Sequence, residues 1–151
     1  HKHGCKIIQL HRRNTDKGAI STLNARRQWK VSGNWNLLNE KTRLGAFEVD
    51  PAEFDILLRE RERLDGDLET YVERLQLPTL KLSYEELLVD ERTFVRRALD
   101  FLGSPEPAVG GATLKNTGDD LRAAIVNFDQ LRSRYAGTRY ESMFDEVLLP
   151  A

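Results

Sequence analysis

The chain has 151 residues, with 23 Lys and Arg against 24 Asp and Glu, a formal net charge of −1, and 40% hydrophobic and 31% charged residues. That length holds one domain with a real core, or the C-terminal portion of a larger one, and the composition excludes a disordered, collagen-like or disulfide-scaffolded protein. The single cysteine, Cys5, has no partner within the chain and points to a reducing, cytoplasmic setting; no apolar run approaches the roughly 20 residues of a membrane helix.

The near-zero total hides an asymmetry. Residues 1–43 carry ten basic and two acidic side chains, a local charge of +8, and the rest of the chain carries −9. A basic segment of this kind marks either an anion-binding region or a solvated surface strip. The first element, Lys6-Ile7-Ile8-Gln9-Leu10, has the apolar character of a buried parallel strand and stops at His11-Arg12-Arg13-Asn14. Apolar spacing predicts a helix from Ala19 to about Lys30, and residues 31–45 have loop composition, flanked by Trp29 and Trp35.

Asp50-Pro51-Ala52-Glu53 is a helix start, with an acidic cap, proline at the first position and Glu at the third. The helix that follows aligns Phe54, Leu57, Leu58, Leu64, Leu68, Tyr71, Val72 and Leu75 in one expected core stripe. Pro78 to Tyr84 alternates as a second strand. Ser83 and Glu86 form a capping box into a short helix, and a further helix from about Asp90 to Leu102 turns Phe94, Val95, Ala98, Leu99 and Leu102 inward and stops at Gly103. Residues 104–111 read as a linker, and Asp119 to Val147 as two or three short helices, capped by Asp119 or Asp120 and interrupted at Gly137-Thr138. The fold class expected is α/β: part of a three-layer domain with a parallel sheet, mostly helical toward the C-terminus.

A strand ending in two arginines and followed by a helix is suited to anions. In open α/β sheets ligands gather at the carboxyl ends of strands, where helix N-termini and guanidinium forks favour phosphate. Ser21, two helical turns beyond Asn14, offers a hydroxyl to the same anion; the alternative is that Arg12 and Arg13 are surface charges and Ser21 packs on the strand.

Arg13 and Ser21 at eight-residue spacing, the segment Leu80-Lys81-Leu82-Ser83-Tyr84-Glu85-Glu86-Leu87, Phe101-Leu102-Gly103, and the tail Lys115-Asn116 to Tyr135-Ala136-Gly137-Thr138 together resemble the sulfotransferase superfamily. The resemblance implies a P-loop-like domain that uses 3'-phosphoadenosine 5'-phosphosulfate and leaves adenosine 3',5'-bisphosphate. It assigns Arg13 and Ser21 to the 3'-phosphate, Tyr84 to the adenine, and Lys115 to the nucleotide phosphates. The acceptor class it implies is a small molecule, carbohydrate or lipid carrying a hydroxyl or amine, with neither nucleic acid nor metal involved. The family's phosphosulfate-cradling loop and its acceptor-activating base fall upstream of the strand seen here, so this chain is expected to hold the 3'-phosphate and adenine half and to be inactive alone. Alternatives are a non-catalytic sulfotransferase-like unit and a P-loop kinase relative preferring ATP. His1-x-His3 and His11 read as a frayed terminus rather than a metal site, Cys5 as a small buried apolar residue, and Glu85 as either an orienting group or a solvated helix-start acid.

Overall fold

The computed structural model describes residues 4–37, 39–105, 115 and 117–148. Two compact units emerge: residues 1–13, 62–110 and 148–151 form the first, and residues 14–61 and 111–147 the second.

The first unit contains strands β1 (Ile7–His11) and β2 (Thr79–Ser83), which pair in parallel from Ile7 opposite Thr79 to His11 opposite Ser83. Around them are helices α3 (Tyr84–Val89) and α4 (Glu91–Leu102), together with the end of α2, a helix that runs Pro51–Leu75 from the second unit into the first. The mixed α/β class read from the sequence is present, with helix predominating. Ser83 Oγ accepts from the Glu86 amide at 3.2 Å while the Glu86 carboxylate accepts from the Ser83 amide at 2.6 Å, completing the expected capping box. Gly103 ends α4 in the left-handed conformation, φ 75°, where a side chain is disfavoured.

Two expectations for this unit need correction. Leu64, Leu68 and Tyr71 are 51%, 44% and 61% exposed, so beyond Leu58 the stripe on α2 is core only at Val72. No residue of α4 is buried; Phe94, Val95, Ala98 and Leu99 are half-buried, and Leu102 is exposed. The physical reason is area: a two-stranded sheet is too narrow to cover the apolar faces of the helices beside it.

The second unit holds the packed core. It contains α1 (Thr15–Ser32), the start of α2, and the short helices α5 (Leu121–Ala124), α6 (Phe128–Arg134) and α7 (Glu141–Asp145). Phe54, Phe128, Tyr135 and Phe144 form an aromatic centre, with Phe144 5.9 Å from Phe54, 6.0 Å from Phe128 and 5.6 Å from Tyr135. Ile20, Leu121 and Leu131 close around it and are fully buried. Asp50 caps α2 as expected, its carboxylate accepting from the Ala52 amide at 2.8 Å.

Helix α1 begins four residues earlier than apolar spacing suggests, at Thr15. Asn14 sets this start: its side-chain oxygen accepts from the Lys17 amide at 2.8 Å, and its amide nitrogen donates to the Met143 carbonyl at 2.8 Å and the Glu146 carboxylate at 2.7 Å. Polar first-turn residues carry no apolar signal, and the partners that hold them are remote in the chain. After Gly33 the described part of residues 31–45 is loop with one 3-10 turn, Glu40–Thr42; Trp29 and Trp35 stack at 5.5 Å and are both about half exposed. Asp120 caps α5, and Gly137, φ 73°, separates α6 from α7.

Candidate functional site

The first unit gathers its chemistry where the sheet ends. Because β1 and β2 are parallel and in register, His11 lies opposite Ser83, and the next residues of each strand emerge side by side. Arg12 and Arg13 leave β1 there, and Tyr84 and Glu85 leave β2. The Arg12 guanidinium sits 4.8 Å from the centre of the Tyr84 ring, a cation–π pair. Glu85, only 2% exposed, accepts from the Arg13 amide at 3.0 Å and lies 3.7 Å from the Arg13 guanidinium, whose side chain is 61% exposed. Of the two roles the sequence left open for Glu85, the orienting one holds: the carboxylate fixes the turn that presents both arginines.

A hollow of about 300 Å³ opens beside this turn, lined by Arg13, Glu85, Glu86, Asp90, Phe94 and Arg97 among others. Three carboxylates against two guanidiniums make its interior unfavourable for a dianion. Glu86 is held well down, to about 2, chiefly by the hydrogen bond from the Ser83 amide and then by Arg97 at 2.6 Å, so it remains charged at neutral pH. The part of this unit suited to an anion is therefore the rim carrying Arg12 and Arg13.

Ser21 and Lys115 belong to the second unit, and Arg13 and Tyr84 to the first. Ser21 is half-buried on α1. Lys115 bonds Asp119 at 2.7 Å, and Asp119 also pairs with the buried Lys17 at 3.0 Å. Asn116, part of the expected tail motif, lies outside the described residues, as do His1 and His3. Lys115 lines a cleft of about 470 Å³ with Asn24, Arg43, Phe47, Thr117 and Ala124. Nothing in the sequence marked this cleft, since its walls come from three separated segments without a shared motif.

Cys5 is exposed, contrary to the expectation of a buried apolar residue, and lies ahead of β1 rather than within it. Among the described residues no group of three or more His, Cys, Asp or Glu is placed to hold a metal, and no helix is long and apolar enough to cross a membrane. No family model, curated protein or solved structure matches the chain.

Proposed function

We propose that this chain is the 3'-phosphate and adenine-binding portion of a sulfotransferase with a P-loop-like, three-layer α/β architecture. The activated donor would be 3'-phosphoadenosine 5'-phosphosulfate, and the acceptor a hydroxyl or amine on a small molecule, carbohydrate or lipid. The observation that carries this reading is the cluster of Arg12, Arg13, Tyr84 and Glu85 at the carboxyl ends of two adjacent, in-register parallel strands. An arginine pair beside an aromatic ring is chemistry for a nucleotide: guanidinium forks for phosphate and a ring face for the base.

The donor supplies a sulfur–oxygen bond that breaks as the acceptor attacks sulfur, with the bisphosphate leaving and the acceptor proton passing to a base. Arg13 acts remotely from that bond, so its contact serves orientation and cofactor affinity. Glu85 is a positioning residue, holding the Arg13 backbone. Arg12, stacked on Tyr84, keeps a positive charge against the ring on which the adenine would rest or which it would edge.

The test is calorimetric titration of the full chain with adenosine 3',5'-bisphosphate, with ATP and AMP as comparisons. The bisphosphate is expected to bind more tightly than either. Arg13→Ala is expected to weaken it by about 10- to 150-fold, the range for losing a charge-assisted hydrogen bond of about 1.5 to 3 kcal/mol. Tyr84→Ala should lower affinity for the bisphosphate and AMP alike. Preference for ATP would transfer the reading to a kinase-like nucleotide site, and an unchanged dissociation constant in Arg13→Ala would remove that residue from the site.

A further inference from the structure

We infer that the cleft of the second unit is a separate binding site for a small organic anion, with its charged head at Lys115 and Arg43 and its apolar body against Phe47 and Ala124. This does not rest on the nucleotide reading, which is built on Arg13 and Tyr84 in the first unit.

The cleft is open to solvent, and its walls are joined by tertiary bonds. Phe47 is held in one wall by a two-way backbone bridge: its amide donates to the Ala124 carbonyl at 3.2 Å, and the Val126 amide donates to the Phe47 carbonyl at 2.9 Å. Arg27 lies over the Phe47 ring at 4.2 Å and donates to Asn24 at 3.0 Å and to the Gly45 carbonyl at 3.3 Å. Asn24 in turn donates to the Thr117 hydroxyl at 3.2 Å, and both residues are buried. The opposite side is joined by Arg43, which donates to the Lys115 carbonyl at 2.7 Å. Three segments remote in sequence are thus tied around one volume of about 470 Å³, within the size range of small-molecule sites.

Its electrostatics select the ligand. The described lining contains Arg43 and Lys115 and no Asp or Glu. The carboxylates that hold those cations, Glu40 on Arg43 at 2.7 Å and Asp119 on Lys115 at 2.7 Å, are not among the lining residues. They fix each cation in place, and an anion entering the cleft would compete with them for the guanidinium and ammonium protons. Leu44, Ala46, Phe47, Ala123 and Ala124 make the remainder of the wall apolar. One anionic head and a compact apolar or aromatic body match that division; a bare inorganic anion leaves the apolar wall unused, and a neutral ring leaves the cations unused. The first unit's hollow, with carboxylates in its own lining, lacks this property.

The experiment is titration of the full chain, followed by calorimetry and amide NMR, with 4-nitrophenyl phosphate as tetrahedral oxyanion and 4-nitrobenzoate as planar carboxylate. 4-Nitrobenzamide serves as the neutral match, and inorganic phosphate as the head alone. At least one organic anion is expected to bind about tenfold or more tightly than both comparisons, as one charge-assisted contact implies. The stronger of the two identifies the head. Lys115→Gln is expected to lose that preference, and Ala123→Leu to weaken binding by filling the cleft without touching a charge. Saturating adenosine 3',5'-bisphosphate should leave probe binding unchanged. Equal binding of the neutral match, retention of full affinity in both variants, or displacement by the bisphosphate each overturns the inference. Displacement does so by assigning Lys115 to the nucleotide, whereas failure of the bisphosphate to bind at all defeats the sulfotransferase reading and leaves this one standing.

Discussion

Replacing Asn14 tests how the second unit is held, because one side chain makes three bonds there. Its oxygen caps α1 at the Lys17 amide, and its nitrogen donates to the Met143 carbonyl and to the Glu146 carboxylate. Asn14 is 2% exposed, so water cannot take over these partners readily. Loss of an N-cap costs about 1 kcal/mol, a neutral buried hydrogen bond about 1, and one to a charged acceptor about 1.5 to 3. Since the three share a side chain and are not independent, Asn14→Ala is expected to destabilise by about 3 kcal/mol. Asn14→Ser retains the cap and loses the two long-range bonds, and should recover about 1 kcal/mol of that. Both tryptophans, Trp29 and Trp35, lie in the second unit, so urea unfolding followed by tryptophan fluorescence reads this unit directly. A loss under about 1 kcal/mol in Asn14→Ala refutes the reasoning, as does a serine variant equal to the parent, which would mean that the links to Met143 and Glu146 contribute nothing to stability.

Two further outcomes follow from packing and charge. Glu86 titrates at about 2 in the folded chain, below its ordinary value of 4.5, so the stabilisation it supplies is complete above about 4.5 and is lost as pH falls through about 2. Amide exchange of α3 should accelerate across that window, and Glu86→Gln should flatten the dependence; an acid profile identical in the two proteins counts against the capping-box assignment. Phe54→Ala, at a fully buried ring, is expected to cost about 3 to 5 kcal/mol in the same fluorescence-detected unfolding. Leu64→Ala, on the same helix but half exposed, should change stability by less than about 1 kcal/mol; comparable losses at the two positions would contradict the exposure of the α2 stripe.

Local chemistry was the legible part of this sequence. Asp50-Pro51, Ser83 with Glu86, Gly103 and Gly137 each announced a boundary through a hydrogen bond or backbone angle confined to a few residues, and each boundary is present. What depended on distant partners was not legible. The start of α1 rests on Asn14 reaching Met143 and Glu146, and the apolar period of α2 says nothing about whether a layer covers it. At the candidate site, Arg13 and Tyr84 were visible as residues at strand ends, whereas the stacking of Arg12 on Tyr84 and the seating of the Arg13 amide on Glu85 require the parallel register that joins the strands. The cleft around Lys115 was invisible because Asn24, Arg43, Phe47 and Thr117 meet only through tertiary bonds.

Arg13 and Asn14, neighbours in the chain, therefore divide two kinds of work. Arg13 extends an exposed guanidinium from a strand end in the unit with the thinner core, and its backbone, not its charged head, makes the shorter contact with Glu85. The guanidinium itself is solvent-screened, and the Arg13 amide keeps its bond to the buried Glu85 when the side chain is removed, so the expected loss of stability is small. On the proposed sulfotransferase reading, the side chain's contribution is to the affinity for an incoming anion. Asn14 is the reverse: buried, fully engaged and turned into the second unit's own hydrogen bonds. Substituting Arg13 should thus alter ligand affinity with the unfolding curve in place, and substituting Asn14 should shift the curve. If instead the Arg13 variant lost stability and the Asn14 variant did not, the arginine would be a structural residue and the strand-end cluster would lose its claim to be a binding site.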